Sequence, residues 1–163
     1  MGFSDGPITQ IAWVTDDIEK AERFFVTQYG VRKWTRITGV EFGPRTCTYR
    51  DRPADFTAHI ALSYLDDMQL ELIEPVRGES IYADFLARCG PGLHHVCFEP
   101  ADFDAAVAAA ARDGLPVLQS GDIGGDMRFA YIDGASEGVP YIELADIGDG
   151  MRAFFAEVKR SAS

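Results

Sequence analysis

Basic residues are scarce in this chain. Fifteen Lys and Arg stand against 26 Asp and Glu, giving a formal net charge of −11 and a pI near 4.6. Nucleic acid and anionic membrane are bound through basic surface, so neither is an expected partner. A small anionic molecule stays open, because it needs only a few local cations. Long apolar runs are also missing, and none approaches bilayer-spanning length. The stretch Met1–Gly6 has neither the basic nor the apolar segment of a secretory signal, so a cytoplasmic protein is expected. Cysteine is rare. Cys47, Cys89 and Cys97 are an odd number without motif spacing and read as reduced thiols. Histidine is equally rare: His59, His94 and His95.

What is present is enough for one domain with a full core: 163 residues, 47% of them hydrophobic. Ile8 to Thr15 is nearly continuous apolar sequence and reads as a buried strand. Asp16 and Asp17 offer an N-cap for a helix carrying Ile18, Ala21, Phe24, Phe25 and Tyr29, closed by Gly30. Val31 to Thr38 is expected to be a second strand, and residues 39–56 a loop or hairpin excursion rich in Gly, Pro and Arg. Thr57–Leu65 and Met68–Glu74 flank Asp66-Asp67 as a β-hairpin. Ser80 caps a short helix that ends near Cys89-Gly90. The order then repeats: strand Leu93–Glu99, helix Asp102–Ala111, strand Pro116–Gln119, and strands Met127–Asp133 and Pro140–Ala145. Gly121–Asp126 reads as a glycine-rich loop, a mobile cover over a cavity. Met151, Phe154, Phe155 and Val158 make the apolar face of a C-terminal helix that docks on the body or on a partner subunit.

The repeat holds residue by residue. When His95 is laid over Gln10, His95-Val96-Cys97-Phe98 falls on Gln10-Ile11-Ala12-Trp13, Asp102-Phe103 on Asp17-Ile18, and Ala106 on Ala21. A shorter shift, as the 39–56 excursion requires, lays Tyr141-Ile142-Glu143-Leu144 over Gln69-Leu70-Glu71-Leu72. The expected fold is therefore α+β, with two βαβββ modules at about 7–76 and 91–146. A helix at about 79–89 links them and a C-terminal helix follows at about 150–160, all within a single domain over 1–163.

The repeat has a chemical consequence. Each copy opens its first strand with one polar residue, Gln10 or His95, and places one carboxylate, Glu71 or Glu143, inside an apolar last strand. A Glu among Leu and Ile is costly to bury unpaired. If the four share a cavity, they form an oxygen and nitrogen set suited to a divalent cation such as Zn, Co, Mn, Ni or Mg. Side chains alternate along a strand, so His94 should point away from His95 and serve a structural role, at a subunit contact for example. His59-Ile60-Ala61-Leu62 imitates a ligand strand, but His59 is expected to be a satisfied barrel histidine. Arg45, Arg50 and Arg52 are expected in a solvated loop, and Trp13 in the core or at the cavity mouth.

These motifs resemble the vicinal oxygen chelate superfamily, which includes glyoxalase I, methylmalonyl-CoA epimerase and the extradiol dioxygenases. Glu71-Leu72-Ile73-Glu74-Pro75, Ser80-Ile81, Phe85-Leu86 and Gly90-Pro91-Gly92-Leu93-His94-His95 are similar to the epimerase family's run ending G-x-G-L-H-H, and Gly138 to Leu144 to its G-V-x-x-E-L ending. The resemblance implies an open, metal-centred β-barrel, with Gln10, Glu71, His95 and Glu143 as metal ligands and Glu143 or Glu71 as catalytic carboxylate. It implies a homodimer acting on a small molecule, an acyl-CoA or a thiol adduct, by proton abstraction next to a carbonyl through a metal-stabilised enolate. Two positions depart from the epimerase pattern. Gln10 stands where that family has His, so the set resembles that of glyoxalase I and keeps a lyase as the alternative. Pro53-Ala54-Asp55, just before Thr57, holds no Glu where the epimerase family has a catalytic carboxylate; Asp55 or Glu41 could substitute. A non-catalytic small-molecule binding protein is the third reading.

Overall fold

The computed structural model of the protein describes residues 2–163. The first module comprises strand β1 (Ile8–Val14), helix α1 (Ile18–Tyr29), β2 (Thr35–Phe42), β5 (Phe56–Leu65) and β6 (Met68–Arg77). Between β2 and β5 lies a small hairpin, β3 (Cys47–Tyr49) and β4 (Arg52–Pro53). Helix α2 (Ile81–Cys89) leads to the second module: β7 (Gly92–Phe98), α3 (Phe103–Arg112), β8 (Val117–Ile123), β9 (Met127–Asp133) and β10 (Tyr141–Ile147). Helix α4 (Asp149–Ala162) closes the chain. The ten strands form one mixed sheet in the order β2-β5-β6-β1-β7-β10-β9-β8-β3-β4, curled into a half-barrel. The α+β class with two βαβββ modules and a C-terminal helix is thus the observed architecture.

Each module carries its first strand parallel to its last. β1 pairs with β6, Gln10 opposite Gln69; β7 pairs with β10, His95 opposite Tyr141. The modules meet where β1 and β7 run antiparallel. Alternation then sorts the side chains. On β6, Leu70 and Leu72 pack toward α1 with Ile18, Phe25 and Val31, while Ile73 joins the cluster inside the curl with Phe42, Phe56, Tyr82, Phe129 and Tyr131. The helix ends follow the sequence. Asp17 accepts from the Lys20 amide and Ser80 from the Ala83 amide. Glu74 reaches across to accept from the Ile18 amide at 2.7 Å.

Two expectations are corrected. The second strand starts at Thr35 rather than Val31 and runs to Phe42, because Val31 is drawn into the α1 core instead. Gly121 to Ile123 is no mobile cover. It is strand, sandwiched in the sheet between β9 and the excursion hairpin, with Cys47 opposite Gly121. A Cβ at Gly121 would lie 2.5 Å from the Phe129 ring and 2.8 Å from Cys47 Sγ, so this glycine serves close packing rather than freedom. The excursion from module one therefore covers the edge of module two. The C-terminal helix docks on the body, against β5.

Candidate metal centre

Three of the four residues singled out by the repeat converge. His95 Nε2 lies 3.0 Å from a Glu143 carboxylate oxygen and 3.4 Å from one of Glu71, and ligand atoms of all three fall within 4.8 Å of one another. The fourth joins them: Gln10 Oε1 is 3.1 Å from His95 Nε2. The strand registers explain the convergence. Glu71 stands two residues beyond the partner of Gln10 on β6, and Glu143 two beyond the partner of His95 on β10. Residues two apart share a face, so both carboxylates enter the curl beside the residue that opens the first strand.

The set is largely shielded from water. His95 is fully buried, and the Glu143 and Glu71 side chains are 5% and 12% exposed. Burial alone would drive the imidazole neutral, but the two carboxylates outweigh it and push His95 up to about 9. Burial raises Glu71, against the pull of His95. That donor chemistry, two carboxylates, an imidazole nitrogen and an amide oxygen, fits a divalent cation.

An orienting set surrounds these four, and it was not foreseen. Gln10 Nε2 donates to Gln69 Oε1 at 2.6 Å, and Gln69 in turn donates to the Tyr64 hydroxyl at 3.0 Å. With its amide nitrogen committed, Gln10 can present only its oxygen to the site. The sequence did hold a signal: Gln69 is a polar residue at the start of an otherwise apolar last strand.

His94 corrects the alternation argument. Its Nδ1 lies 2.8 Å from His95 Nδ1, and it is wholly buried rather than at a surface contact. The cause is a break in register between β1 and β7: Ala12 faces His95 and Trp13 faces Leu93, which leaves His94 without an opposite residue. A bulge abolishes the two-residue period locally, so neighbours can turn toward one another. Burial and the charge of His95 hold His94 well below the ordinary imidazole range. A neutral His94 can accept from His95 Nδ1, which leaves Nε2 of His95 facing the carboxylates. The rings of Tyr82, Phe85 and Tyr141 pack around His94 at 4.6–5.2 Å.

Gln10, Glu71 and Glu143 line a cavity of about 220 Å³, and His95 lies fully buried behind them. Tyr82 and Tyr131 also line it, with their hydroxyls 2.7 Å apart. Tyr82 is placed by α2, whose first amide, that of Ile81, donates to Gln119 Oε1. Two phenols share one hydrogen bond, so one O–H proton is left for a ligand. Burial and the nearby carboxylates keep both phenols protonated far above the ordinary range.

The remaining candidates lie elsewhere. His59 Nδ1 accepts from the Gly39 amide at 2.9 Å, as expected of a structural histidine. Asp55 pairs with Arg77 at 2.8 Å, and neither it nor Glu41 lines the cavity, so neither is placed to act as its carboxylate. Arg50 pairs with Asp84, Arg45 and Arg52 are exposed, and none of the three reaches the cavity. Trp13 packs against Phe25 on the α1 side, its ring centroid 4.8 Å from that of Phe25.

No curated protein matches the chain. Solved structures do. A methylmalonyl-CoA epimerase from Mycobacterium tuberculosis aligns over 94% of this chain and 95% of its own, at 16% identity and a TM-score of 0.61. A hypothetical protein from Bacillus halodurans aligns over 85% and 92%, at 18% identity and a TM-score of 0.61. The methylmalonyl-CoA epimerase of Streptomyces coelicolor, in complex with 2-nitronate-propionyl-CoA, aligns over 85% and 94%, at 24% identity and a TM-score of 0.55. At such identities the likeness is one of fold. The family model of the glyoxalase/bleomycin resistance protein/dioxygenase superfamily matches residues 9–131, and the chain belongs to that superfamily, the vicinal oxygen chelate proteins.

Proposed function

We propose that this protein is a metal-dependent enzyme of the isomerase or epimerase type, which takes a proton from the carbon next to a carbonyl and returns it. The observation that carries this reading is the convergence of Glu71, His95 and Glu143 with the Gln10 oxygen, three of the four lining one cavity. Gln10, Glu71, His95 and Glu143 are the residues that would hold a divalent ion. Such an ion supplies a Lewis acid that polarises a carbonyl oxygen and stabilises the negative charge left when the adjacent proton departs.

The chain's own groups supply the rest. Glu71 and Glu143 enter the cavity from different modules, so one carboxylate can remove a proton and the other return it. Glu71 is the more accessible of the two, and burial raises its affinity for a proton, which suits it to act as base. The free phenol proton of the Tyr82–Tyr131 pair can donate to a substrate oxygen. The apolar walls keep water from the exchanging proton. Whole-chain similarity to methylmalonyl-CoA epimerases supports the epimerase form of this chemistry. The Gln/Glu/His/Glu set, with the Gln10 oxygen fixed by Gln69, supports a glyoxalase-type lyase as the second reading.

The test is solvent exchange in deuterium oxide with protein loaded with Zn, Co, Mn, Ni or Mg in turn. Methylmalonyl-CoA and the neutral ketone 1-hydroxy-4-phenyl-2-butanone serve as the two substrates, followed by NMR at the carbon next to the carbonyl. Exchange on either, lost in Glu71→Gln and in chelator-treated protein, is the expected result. Failure to bind any of the five ions, or exchange on neither compound, would sink the proposal.

A further inference from the structure

The cavity above the proposed metal centre has a lining that bears on the substrate. Apart from Gln10, Glu71, Glu143 and the tyrosine pair, every described residue lining it is aliphatic, aromatic or methionine. Ile37, Val40 and Ile60 come from module one, Met127 and Phe129 from module two, and Met151, Phe154 and Phe155 from α4. No Arg, Lys or His side chain is among them. Arg36, Arg128 and Arg152 adjoin lining residues in the chain but are already paired, Arg36 with Glu19 and Glu22, Arg128 with Asp104 and Asp146, and Arg152 with Glu99, and Lys159 of α4 pairs with Asp67. A charged group placed against such walls would lose its hydration and gain no partner. Phosphate recognition in particular depends on free cations or exposed amides, and the lining offers none of the former.

The helix that contributes the far wall is fixed in place rather than loosely apposed. Asp126, in the β8–β9 turn, accepts from the Gly150 amide through its side chain and from the Gly148 amide through its backbone carbonyl, at 3.2 and 2.7 Å. A Cβ on either glycine would collide with Asp126. At the other end Lys159 reaches Asp67 in the β5–β6 turn. So α4 is tied to both modules, and its three apolar side chains form a roof over the floor of carboxylates. The cavity volume of about 220 Å³ is below the roughly 300–1,000 Å³ typical of pockets for drug-sized ligands.

We infer that the site takes a compact, uncharged carbonyl compound with an aryl or branched-alkyl body, and that Met151, Phe154 and Phe155 on α4 select it against acidic and CoA-bearing substrates. This rests on the proposed metal centre for the position of the carbonyl, but the apolar preference belongs to the walls. The substrate meets the chain at three kinds of surface. Its oxygens face the floor of Gln10, Glu71 and Glu143, one oxygen takes the free phenol proton, and its body fills the space under α4.

Three chelating probes with one head group and different tails test this: acetohydroxamate, 3-phenylpropionohydroxamate and succinic monohydroxamate. Binding to zinc-loaded protein is measured by calorimetry, with bound zinc quantified beforehand. The phenyl tail should strengthen binding at least tenfold over acetohydroxamate, and the carboxylate tail should weaken it. In Phe154→Lys the order of the two tails should reverse. Equal affinities, tighter binding of the acidic tail, or no hydroxamate binding to zinc-bound protein would each overturn the inference. A second arm needs no metal. Protein labelled with ¹³C at its methionine methyls is titrated, metal-free, with 4-phenyl-2-butanone, 3-phenylpropionate and acetyl-CoA. The ketone should shift Met127 and Met151, which line the cavity, and leave Met68, which packs in the α1 core. Shifts of Met127 and Met151 by acetyl-CoA or the acid at equal or lower concentration would overturn the inference. A protein that binds no zinc yet shows the ketone shifts would refute the metal centre and leave the apolar preference standing.

Discussion

In the first module Gln10 is oriented from the neighbouring strand: its amide nitrogen donates to Gln69 of β6. In the second module the matching residue, His95, is oriented from its own strand by His94. The registers are the same, since Gln69 is the partner of Gln10 and Tyr141 the partner of His95. Yet Tyr141 does not take the part of Gln69. Its hydroxyl accepts from Arg88 and its ring packs on His94. The bulge at His94 makes this possible by turning a second imidazole inward. The comparison teaches that the repeat conserves where a ligand stands, because parallel pairing of first and last strands dictates it. How the ligand is held differs between the modules, because that depends on whichever neighbour can reach its far atom.

The comparison is broken most severely by removing the ligands themselves. His95→Ala should cost at least about a hundredfold in zinc affinity, while Gln10→Ala should cost about tenfold. The reason is that a neutral amide oxygen is a weaker donor than an imidazole nitrogen, and a full zinc site is worth about 10–16 kcal/mol over its ligands. Competition with a chromophoric chelator measures both. Equal losses would mean that the two modules contribute alike.

Of the two ligands that open the first strands only His95 titrates, and this separates the pair by pH. Metal-free His95 holds its proton up to about 9. An ion needs the neutral imidazole nitrogen, so binding below that pH releases a proton, and affinity should rise about tenfold per pH unit from 7 toward 9. The stability of the metal-free fold should move the other way. His95 is raised above its unfolded value near 6.5, so its ion pairs with Glu143 and Glu71 contribute fully below that value and are lost as the pH rises through about 9. Gln10→Ala should keep the slope of affinity against pH. A flat profile in the parent protein would remove His95 from the ligand set.

The orienting residues should matter no more than Gln10 itself. His94→Phe and Gln69→Leu should each lower zinc affinity by about tenfold, the lower end of the range for groups that orient ligands. The two should be additive, since they act on different ligands in different modules. A zinc affinity unchanged in His94→Phe, with the melting temperature preserved, would reduce His94 to a packing role.

Most of the floor of the site was legible in the chain. Gln10, Glu71, His95 and Glu143 stand out because a polar residue inside an apolar strand is expensive, and the repeat doubles each such residue. The hairpin at Asp66-Asp67 and the caps at Asp17 and Ser80 were equally plain, since they depend on contacts within a few residues. Three features were not. Alternation placed His94 outside, because a bulge depends on how β7 meets β1 and leaves no local mark. The glycines at 121–125 read as a loop, although Gly121 is small so that Phe129 and Cys47 can close over it from other strands. The tyrosine pair joins α2 to β9 across 49 residues, and nothing near either residue announces it.

The module order, the superfamily and the four polar positions inside apolar strands can be read along the chain alone. Those follow from periodicity, capping and the cost of burying charge, which act residue by residue. Only the tertiary structure decided that His94 serves His95, that Gln69 aims the Gln10 oxygen, and that α4 roofs a cavity lined without a single cation. Those are matters of which surfaces meet, and surfaces far apart in the chain meet only after the two modules have closed on each other.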